Sequence, residues 1–188
     1  SWQRQNPLPG AGGDDVTVAR LTNAAFPGPK PALLVMTAIH AREYPTAELG
    51  LRFVEWLVEN HGVHPDASWV LDHHEIHVLV QSNPDGRVRA QAQASGSGGA
   101  AQRKNMNTLA CGSGRLGVDL NRNYGFEWGA HNGSSPNACQ DTYRGASPQS
   151  EPETMAVDAY MGLLFPDRRG PGAGDAARHQ VCRGPTAD

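Results

Sequence analysis

The amino-acid sequence predicts an α/β protein built on a mixed β-sheet with helices on both faces. Short apolar runs of strand length alternate with longer segments in which apolar residues recur at helical spacing, a pattern typical of helices packed on a sheet. The 188 residues include 22 glycines and 14 prolines, which favours a loop-rich α/β chain over a helical bundle.

Three strands are predicted, each a short apolar or β-branched run bounded by turn residues. The second run is apolar and ends just before His40, so we expect a strand buried on both faces. The predicted strands are Val16–Leu21, Leu33–Ile39 and Glu75–Val80.

Two long helices are also predicted. The first spans Thr46–Asn60, and the second follows Ser150, whose spacing to Glu153 matches a capping box. The stripe of the first helix that we expect to face the core consists of Leu49, Phe53, Trp56 and Leu57. The corresponding stripe of the second helix consists of Val157, Tyr160, Met161 and Leu164.

The remaining segments are assigned to turns and loops. Asn83-Pro84-Asp85-Gly86 predicts a tight turn, and the polar residues 91–107 predict a surface loop. From residue 168 onward the chain is rich in Gly, Pro, Ala and Arg, a composition that builds neither a strand nor a core helix.

Charge and hydropathy exclude two classes of partner. The net charge is −3 and the basic residues are scattered, which gives no electrostatic basis for binding nucleic acid or a membrane surface. No apolar run approaches the ~20 residues that a membrane span needs. The chain starts at Ser1 and shows no signal peptide, so a processed or partial chain is expected.

Three cysteines are present, at positions 111, 139 and 182. Cys111 and Cys139 both lie in loop-like sequence, where a disulfide would add about 3 kcal/mol by loop entropy. From the residues alone, a disulfide and free thiols are equally weighted readings.

The segment His40-Ala41-Arg42-Glu43 follows a predicted strand directly and precedes a helix, the place where α/β proteins put ligand sites. An imidazole and a carboxylate three residues apart could both bind zinc. A solvated loop is the favoured interpretation of this tetrapeptide taken alone.

The segment from Gly117 to Asn123 places Asp119, Asn121 and Arg122 close together. Arginine is the natural bidentate partner of a carboxylate, and asparagine adds a neutral donor, so the pair would suit a peptide's free C-terminus. Taken alone, the segment also fits an ordinary Asn-rich loop, and Arg103-Lys104 is a plain basic pair.

In this order, the His40–Glu43 segment, the Asn83–Gly86 segment, Arg103-Lys104 and the Gly117–Asn123 segment resemble the zinc metallocarboxypeptidase family of the carboxypeptidase A/T type. The resemblance runs from about residue 15 to residue 171. It implies a zinc carboxypeptidase-like fold with an incomplete sheet, and a partial catalytic domain over residues 1–171 followed by an irregular tail, 172–188, unlike the family.

The resemblance also implies roles for individual residues. His40 and Glu43 match two zinc ligands, and Asp119 matches the carboxylate that orients the ligand histidine. Asn121 and Arg122 match the pair that grips the substrate's carboxylate. Arg103 matches the arginine that stabilises the oxyanion, and Arg42 matches a residue that contacts substrate farther from the cut. The resemblance also implies a disulfide between Cys111 and Cys139.

The family's third zinc ligand, its substrate-capping Tyr and its general-base Glu find no match in this sequence, and His179 stands in a polar tail. A shifted reading frame or truncation near Arg178 is one hypothesis for that break. The resemblance therefore implies a secreted or periplasmic zinc peptidase that removes C-terminal amino acids, with negligible turnover by this chain alone. The alternatives are a non-catalytic binder of peptide C-termini and an acyl-amino-acid hydrolase of the aspartoacylase type.

Overall fold

The computed structural model describes residues 2–4, 14–96, 101–108, 111 and 116–166, so the predicted tail 172–188 lies outside the described residues. The strands are β1 (Trp2–Arg4), β2 (Thr17–Leu21), β3 (Ala32–Met36) and β4 (Glu75–Leu79). The helices are α1 (Tyr44–Asn60), α2 (Pro65–His73), α3 (Pro84–Ala94) and α4 (Pro152–Leu164), with a short 3-10 turn at Leu120–Arg122.

The chain divides into two compact units. The first contains β1 to β4 with α1 and α2, from residues 2–4, 15–39 and 43–82. The second contains α3, α4 and the 3-10 turn, from residues 14, 40–42 and the described residues after 82.

The first unit is built on a mixed four-stranded sheet in the order β1-β2-β4-β3. β2 pairs antiparallel with both β1 and β4, whereas β3 runs parallel to β4, with Leu34 opposite His77. The prediction of an α/β chain with a mixed sheet is confirmed.

The core of the first unit lies between this sheet and the helices α1 and α2. Val54 and Leu57 of α1 and Leu71 of α2 join Ile76 and Val78 of β4 in one apolar cluster. The cluster removes these side chains from water, which is the main favourable contribution to the stability of this unit.

The predicted apolar face of α1 is wrong in part. Leu49 and Trp56 are 71% and 41% exposed, while Gly50 and Leu57 are buried. A Cβ on Gly50 would lie 2.8 Å from Oγ1 of Thr37. The glycine therefore allows a close approach to Thr37, which orients α1 with Leu49 on the outside.

The prediction that Leu33–Ile39 is buried on both faces is also wrong. β3 ends at Met36, occupies one end of the sheet and is hydrogen-bonded to β4. Leu33 is 49% exposed because its strand is at the edge.

The predicted turn at Asn83–Gly86 is the first turn of α3. Oδ1 of Asn83 accepts a hydrogen bond from the Gly86 amide at 3.1 Å, and Pro84 occupies the first helical position. Asn and Pro are helix-start residues as well as turn residues, so the tetrapeptide was ambiguous.

The surface loop predicted for residues 91–107 is wrong in part, and residues 97–100 lie outside the described residues. α3 continues to Ala94, and Gln102, Lys104 and Asn105 are all buried. Their polar groups are paired: the Gln102 amide, for example, donates to the carbonyls of Lys104 and Asn105 at 3.0 and 3.1 Å. Buried polar side chains of this kind look like loop residues in composition.

The helix predicted after Ser150 is present as α4, but the capping box is not. Glu151 is the N-cap residue, and Ser150 donates its hydroxyl hydrogen to Oε1 of Glu151 at 2.6 Å. The Glu153 carboxylate accepts from Nδ2 of Asn105 at 3.1 Å. Among the described residues, no helix has the length and apolar character needed to cross a bilayer.

Candidate functional site

Asp119 is the centre of a buried polar cluster in the second unit. Its Oδ1 lies 3.2 Å from Nε2 of His40, and its Oδ2 accepts from Nε and Nη2 of Arg103 at 3.2 and 2.9 Å. The carboxylate is fully buried and the imidazole nearly so. Because an ionised carboxylate only accepts hydrogen bonds, this contact places the imidazole proton on Nε2.

The local backbone explains why Asp119 occupies this position. It caps the 3-10 turn, with Oδ1 also accepting from the Asn121 amide at 3.1 Å, and its carbonyl accepts from the Arg122 amide at 2.8 Å. Asp is favoured at such a cap because its short side chain reaches the next free amides. Asp119 therefore orients the His40 ring and also caps the 3-10 turn that carries Asn121 and Arg122.

His40 and Arg103 are brought together by their backbones. The Ala41 amide donates to the Arg103 carbonyl at 3.0 Å, and Ala41 is 1% exposed. This main-chain hydrogen bond places residues 40–42 beside the segment that contains Arg103. Residues far apart in sequence therefore converge on Asp119 through main-chain pairing as well as through side chains.

The electrostatics of the cluster favour an ionised Asp119. Burial alone would raise the pKa of this carboxyl, but the hydrogen bonds from His40 and Arg103, with the charge of Arg103, outweigh burial and hold the pKa below its ordinary value. The cluster is therefore built around a stable negative charge.

Asn121 and Arg122 line a cleft of about 190 Å³ in the same unit. Arg122 donates from Nε to the Gly133 carbonyl at 2.8 Å and from Nη1 to the Asn121 carbonyl at 2.9 Å. These bonds hold a partly exposed guanidinium at the cleft wall. The other lining residues are Tyr124, Phe126, Glu127, Trp128, Gly129, Ala130, Gly133 and Ser134.

Arg42 lies in the second unit, and its side chain makes its polar contacts with groups other than the Asp119 carboxylate. Its Nη1 donates to the Ala101 carbonyl at 3.3 Å and lies 3.7 Å from Oδ2 of Asp141. The side chain is exposed, so it remains accessible to a ligand.

Glu43 belongs to the first unit, where it is the N-cap residue of α1. It is half-buried, and its carbonyl accepts from the amide and hydroxyl of Thr46 at 3.2 and 2.7 Å. Convergence of Glu43 and His40 on one cation stays a prediction. Within the described part of the chain, no three His, Cys, Asp or Glu side chains are grouped so that they could hold a metal.

A disulfide joins Cys111 and Cys139, with the two Cα atoms 5.0 Å apart. Beside it, Nζ of the buried Lys104 donates to the carbonyls of Ala138 and Gln140 at 2.7 and 3.2 Å. Sequence reasoning missed this role of Lys104, because a basic pair in polar sequence predicts a solvated side chain.

The chemistry of His40 fits a zinc ligand. Metal-binding histidines almost always donate their second ring N–H to a carboxylate or carbonyl, and Asp119 is such an acceptor. Its bond to Nε2 makes Nδ1 the ring nitrogen suited to a metal. Glu43 supplies an oxygen donor of the type that zinc accepts.

Comparisons with known proteins identify related sequences. A family described as zinc carboxypeptidase, peptidase M14, matches residues 11–168. Carboxypeptidase A5 of Homo sapiens is 35% identical over 127 residues, and carboxypeptidase A1 of Sus scrofa is 33% identical over 128 residues. Each match covers 68% of this chain but only 28% or 29% of the relative, so the chain spans less than a third of their length.

Two solved structures share the fold. The crystal structure of thrombin activatable fibrinolysis inhibitor has a TM-score of 0.74 at 24% identity, covering 86% of this chain and 39% of that one. The carboxypeptidase A from Helicoverpa armigera has a TM-score of 0.71 at 27% identity, covering 87% and 37%. These likenesses confirm the predicted carboxypeptidase-like fold.

Proposed function

Since this chain belongs to the zinc carboxypeptidase family, we propose that it supplies zinc ligands and a C-terminus-binding cleft to an enzyme that removes C-terminal amino acids from peptides. The observation that carries the proposal is the buried His40–Asp119–Arg103 cluster, which is continuous in sequence with Asn121 and Arg122 at the cleft.

His40, through Nδ1, and Glu43 would hold the zinc ion. Bound zinc supplies Lewis acidity, lowering the pKa of water and polarising a carbonyl. Asp119 fixes the tautomer and the ring orientation of His40, so the imidazole does not have to reorganise on binding the metal.

The substrate's terminal carboxylate would bind to Asn121 and Arg122. Arg122 offers a charged guanidinium already held at the cleft by the Gly133 carbonyl, and Asn121 adds an amide donor. Arg103 would stabilise negative charge developing on the scissile carbonyl oxygen, and Asp119 fixes the orientation of its guanidinium. The exposed Arg42 would contact substrate residues farther from the cut.

We expect negligible hydrolysis by the 188-residue chain alone. His40 and Glu43 offer two zinc ligands, and no third ligand joins them among the described residues. A positioned acid–base group is worth about 10²–10⁴ in rate, and the sequence offers no candidate for it. The disulfide favours an oxidising compartment, so we assign the protein to the secreted or periplasmic class.

Peptide titration tests the proposal. The full chain should bind an acetylated tripeptide ending in norleucine with a free carboxylate more than about tenfold better than the C-terminal amide, since the amide cannot make the charged contact. Arg122→Gln should remove that difference, whereas Arg52→Gln, on the exposed face of α1, should keep it. Equal affinities of the wild-type chain for acid and amide would refute the proposal.

A second candidate is peptide binding without hydrolysis, and it is favoured by the position of Asn121 and Arg122 in a formed cleft. Titration in the presence of a chelator separates the two. Affinity that is independent of metal would favour the binder, and affinity that rises with added zinc would favour the peptidase.

A further inference from the structure

Asn132 and Gly133 form the only Asn-Gly pair in the sequence. Both residues are exposed, and Gly133 lines the cleft that contains Arg122. Asn132 has φ 54°, a left-handed conformation that asparagine tolerates better than most residues. The backbone therefore accounts for an asparagine at this position, and the glycine after it gives that asparagine a reactivity that the others in the chain lack.

An Asn-Gly pair can lose its side-chain amide without an enzyme. The main-chain nitrogen of the glycine attacks Cγ of the asparagine, and as that bond forms the Cγ–Nδ2 bond breaks. Ammonia leaves with the proton of the attacking nitrogen, and water then opens the succinimide ring at either of its carbonyls. The product is an aspartate or an isoaspartate, whose chain runs through the side chain. Water is consumed, ammonia is released, and nothing is oxidised or reduced. Glycine favours this route because no Cβ shields its nitrogen.

The surroundings of Gly133 leave the attacking nitrogen accessible. Within the described part of the chain, neither the Gly133 amide nor the Asn132 side chain forms a hydrogen bond. A Cβ built on Gly133 would meet no atom within 4 Å, so the ring has space to form and water can reach it. No partner therefore holds the amide away from the asparagine in this part of the structure.

The pair Asp85-Gly86 shows the opposite environment. An Asp-Gly pair can close the same ring, with loss of water instead of ammonia. Here Gly86 is buried, its amide donates to Oδ1 of Asn83 at 3.1 Å, and a Cβ on it would lie 2.7 Å from the Lys104 carbonyl. The first turn of α3 therefore protects this pair, whereas the Asn-Gly pair is exposed outside any helix or strand.

Gly133 also holds a residue of the candidate site. Its carbonyl accepts from Nε of Arg122 at 2.8 Å, which fixes the guanidinium at the cleft wall. An isoaspartate brings Cβ of residue 132 into the main chain, which lengthens the segment before Gly133 by one bond of about 1.5 Å. The longer segment displaces the Gly133 carbonyl from the Arg122 guanidinium.

We propose that Asn132-Gly133 is a site of spontaneous deamidation, and that isoaspartate formation there releases the Arg122 guanidinium from the Gly133 carbonyl. The modification needs water alone and does not depend on the proposed function. Its effect on peptide binding does rest on that function: the converted protein loses its preference for a free carboxylate, because Arg122 is no longer fixed at the cleft.

Peptide mapping by mass spectrometry tests the site, after the full chain is incubated at mildly alkaline pH in water enriched in heavy oxygen. Asn132 should take up heavy oxygen and yield isoaspartate, and it should do so faster than Asn137, an exposed asparagine that precedes Ala138. Gly133→Ala keeps Asn132 and adds a methyl group in open space, outside the left-handed region, so it should fold as wild type does.

The added methyl shields the nitrogen, so Gly133→Ala should slow the conversion of Asn132 more than about tenfold. A conversion of Asn132 no faster than that of Asn137 overturns the inference. An equal rate in wild type and Gly133→Ala overturns it as well.

Hydrogen exchange of the Arg122 Nε–H, followed by NMR, tests the effect on the cleft without any peptide. The bond to the Gly133 carbonyl should slow this exchange in fresh protein, and the exchange should become faster in converted wild type. Gly133→Ala incubated in the same way should keep the slow exchange. An unchanged exchange in a fully converted sample overturns the release of Arg122.

The two proposals fail separately. If fresh protein binds acid and amide peptides equally, carboxylate capture by Arg122 is wrong, and peptide mapping with the Arg122 exchange still decides the inference. If fresh protein prefers the acid and fully converted protein keeps that preference, carboxylate capture stands and release of Arg122 is wrong.

Discussion

Asp119 connects both halves of the candidate site. It accepts from the imidazole of His40, the guanidinium of Arg103 and the amide of Asn121, and it is completely buried. Removing the charge would leave the Arg103 guanidinium without its carboxylate in a largely buried position, which is costly.

Asp119→Asn should therefore lower the free energy of unfolding by about 3 kcal/mol, the low end for breaking a buried charge pair. The isosteric amide keeps the volume, so the loss reports charge and hydrogen bonding rather than packing. Urea denaturation measures the effect. Glu48→Gln, which alters an exposed pair with Arg52, serves as the control and should be nearly neutral; a neutral Asp119→Asn would contradict the role given to Asp119.

Glu153 predicts a pH dependence. Its burial raises the pKa of the carboxyl, and the nearby Glu151 and Asp85 add to the rise, despite the hydrogen bond from Asn105. Between the unfolded pKa of about 4.3 and the higher folded value, the folded protein binds more protons, so this group makes stability fall as pH rises.

Glu153→Gln removes that contribution. The unfolding free energy of the variant, relative to wild type, should increase as pH is raised from about 4 to 7. Denaturation at a series of pH values measures the difference. A difference that is flat or that decreases with pH would show that the pKa of Glu153 is not raised in the folded protein.

Residue-level prediction from the sequence succeeded where a short motif limits the geometry. The nearness of Asp119, Asn121 and Arg122 follows from their spacing. The contact between His40 and Asp119 was expected only through the resemblance, because no local rule joins residues 79 apart. The buried polar side chains of Lys104 and Asn105 could not be foreseen, since their burial depends on distant groups: the Ala138 carbonyl for Lys104 and the Val118 amide for Asn105.

At the scale of elements, helix α1 shows why apolar periodicity alone does not fix a packed face. It carries apolar residues on more than one side, and the largest of them suggested the stripe that contains Leu49 and Trp56. The observed face includes Gly50, whose missing side chain allows contact with Thr37. The hydroxyl of Thr37 donates to the carbonyls of Leu79 and Val80, so it cannot easily move away from a Cβ added at position 50.

Gly50→Ala tests this packing. Helix propensity would favour alanine by about 1 kcal/mol, but the new methyl meets the anchored Thr37, and overpacking costs about 1–3 kcal/mol. We expect net destabilisation of about 1 kcal/mol by urea denaturation. The matched change Leu49→Ala on the exposed face should stay within about 0.5 kcal/mol; stabilisation by Gly50→Ala would contradict the close approach.

Strand β3 illustrates a second ambiguity at this scale. An apolar run reads as a fully buried strand, yet β3 forms an edge with Leu33 half exposed. Periodicity reports the apolar character of a strand but not how many neighbours it has. The position of a strand within a sheet depends on pairings between distant segments.

At the scale of the whole molecule, the disulfide is the main covalent constraint in the second unit. It joins Cys111 and Cys139, which are 28 positions apart in the sequence. Replacing both with serine should lower the unfolding free energy by about 3 kcal/mol, because the unfolded chain regains the entropy of that loop. The difference in unfolding free energy between wild type and the double serine variant should disappear when both are measured under reducing conditions. Equal stabilities without reductant would contradict a stabilising bridge.

The fold class and family were predictable because several ordered motifs, rather than one, had to agree with an α/β pattern. The division into two units was not predicted, since it depends on contacts that no local pattern records. The chain also spans less than a third of the length of the curated relatives described above.

Calorimetric titration of the full chain with Zn²⁺ is the most direct test of the central claim, that His40 and Glu43 bind one metal ion. We predict a single site whose affinity falls more than about tenfold in His40→Ala and in Glu43→Gln, and by about 10- to 100-fold in Asp119→Asn. His64→Ala, at the start of α2, should bind as wild type does. Wild-type zinc affinity in both the His40 and the Glu43 variants would contradict the claim.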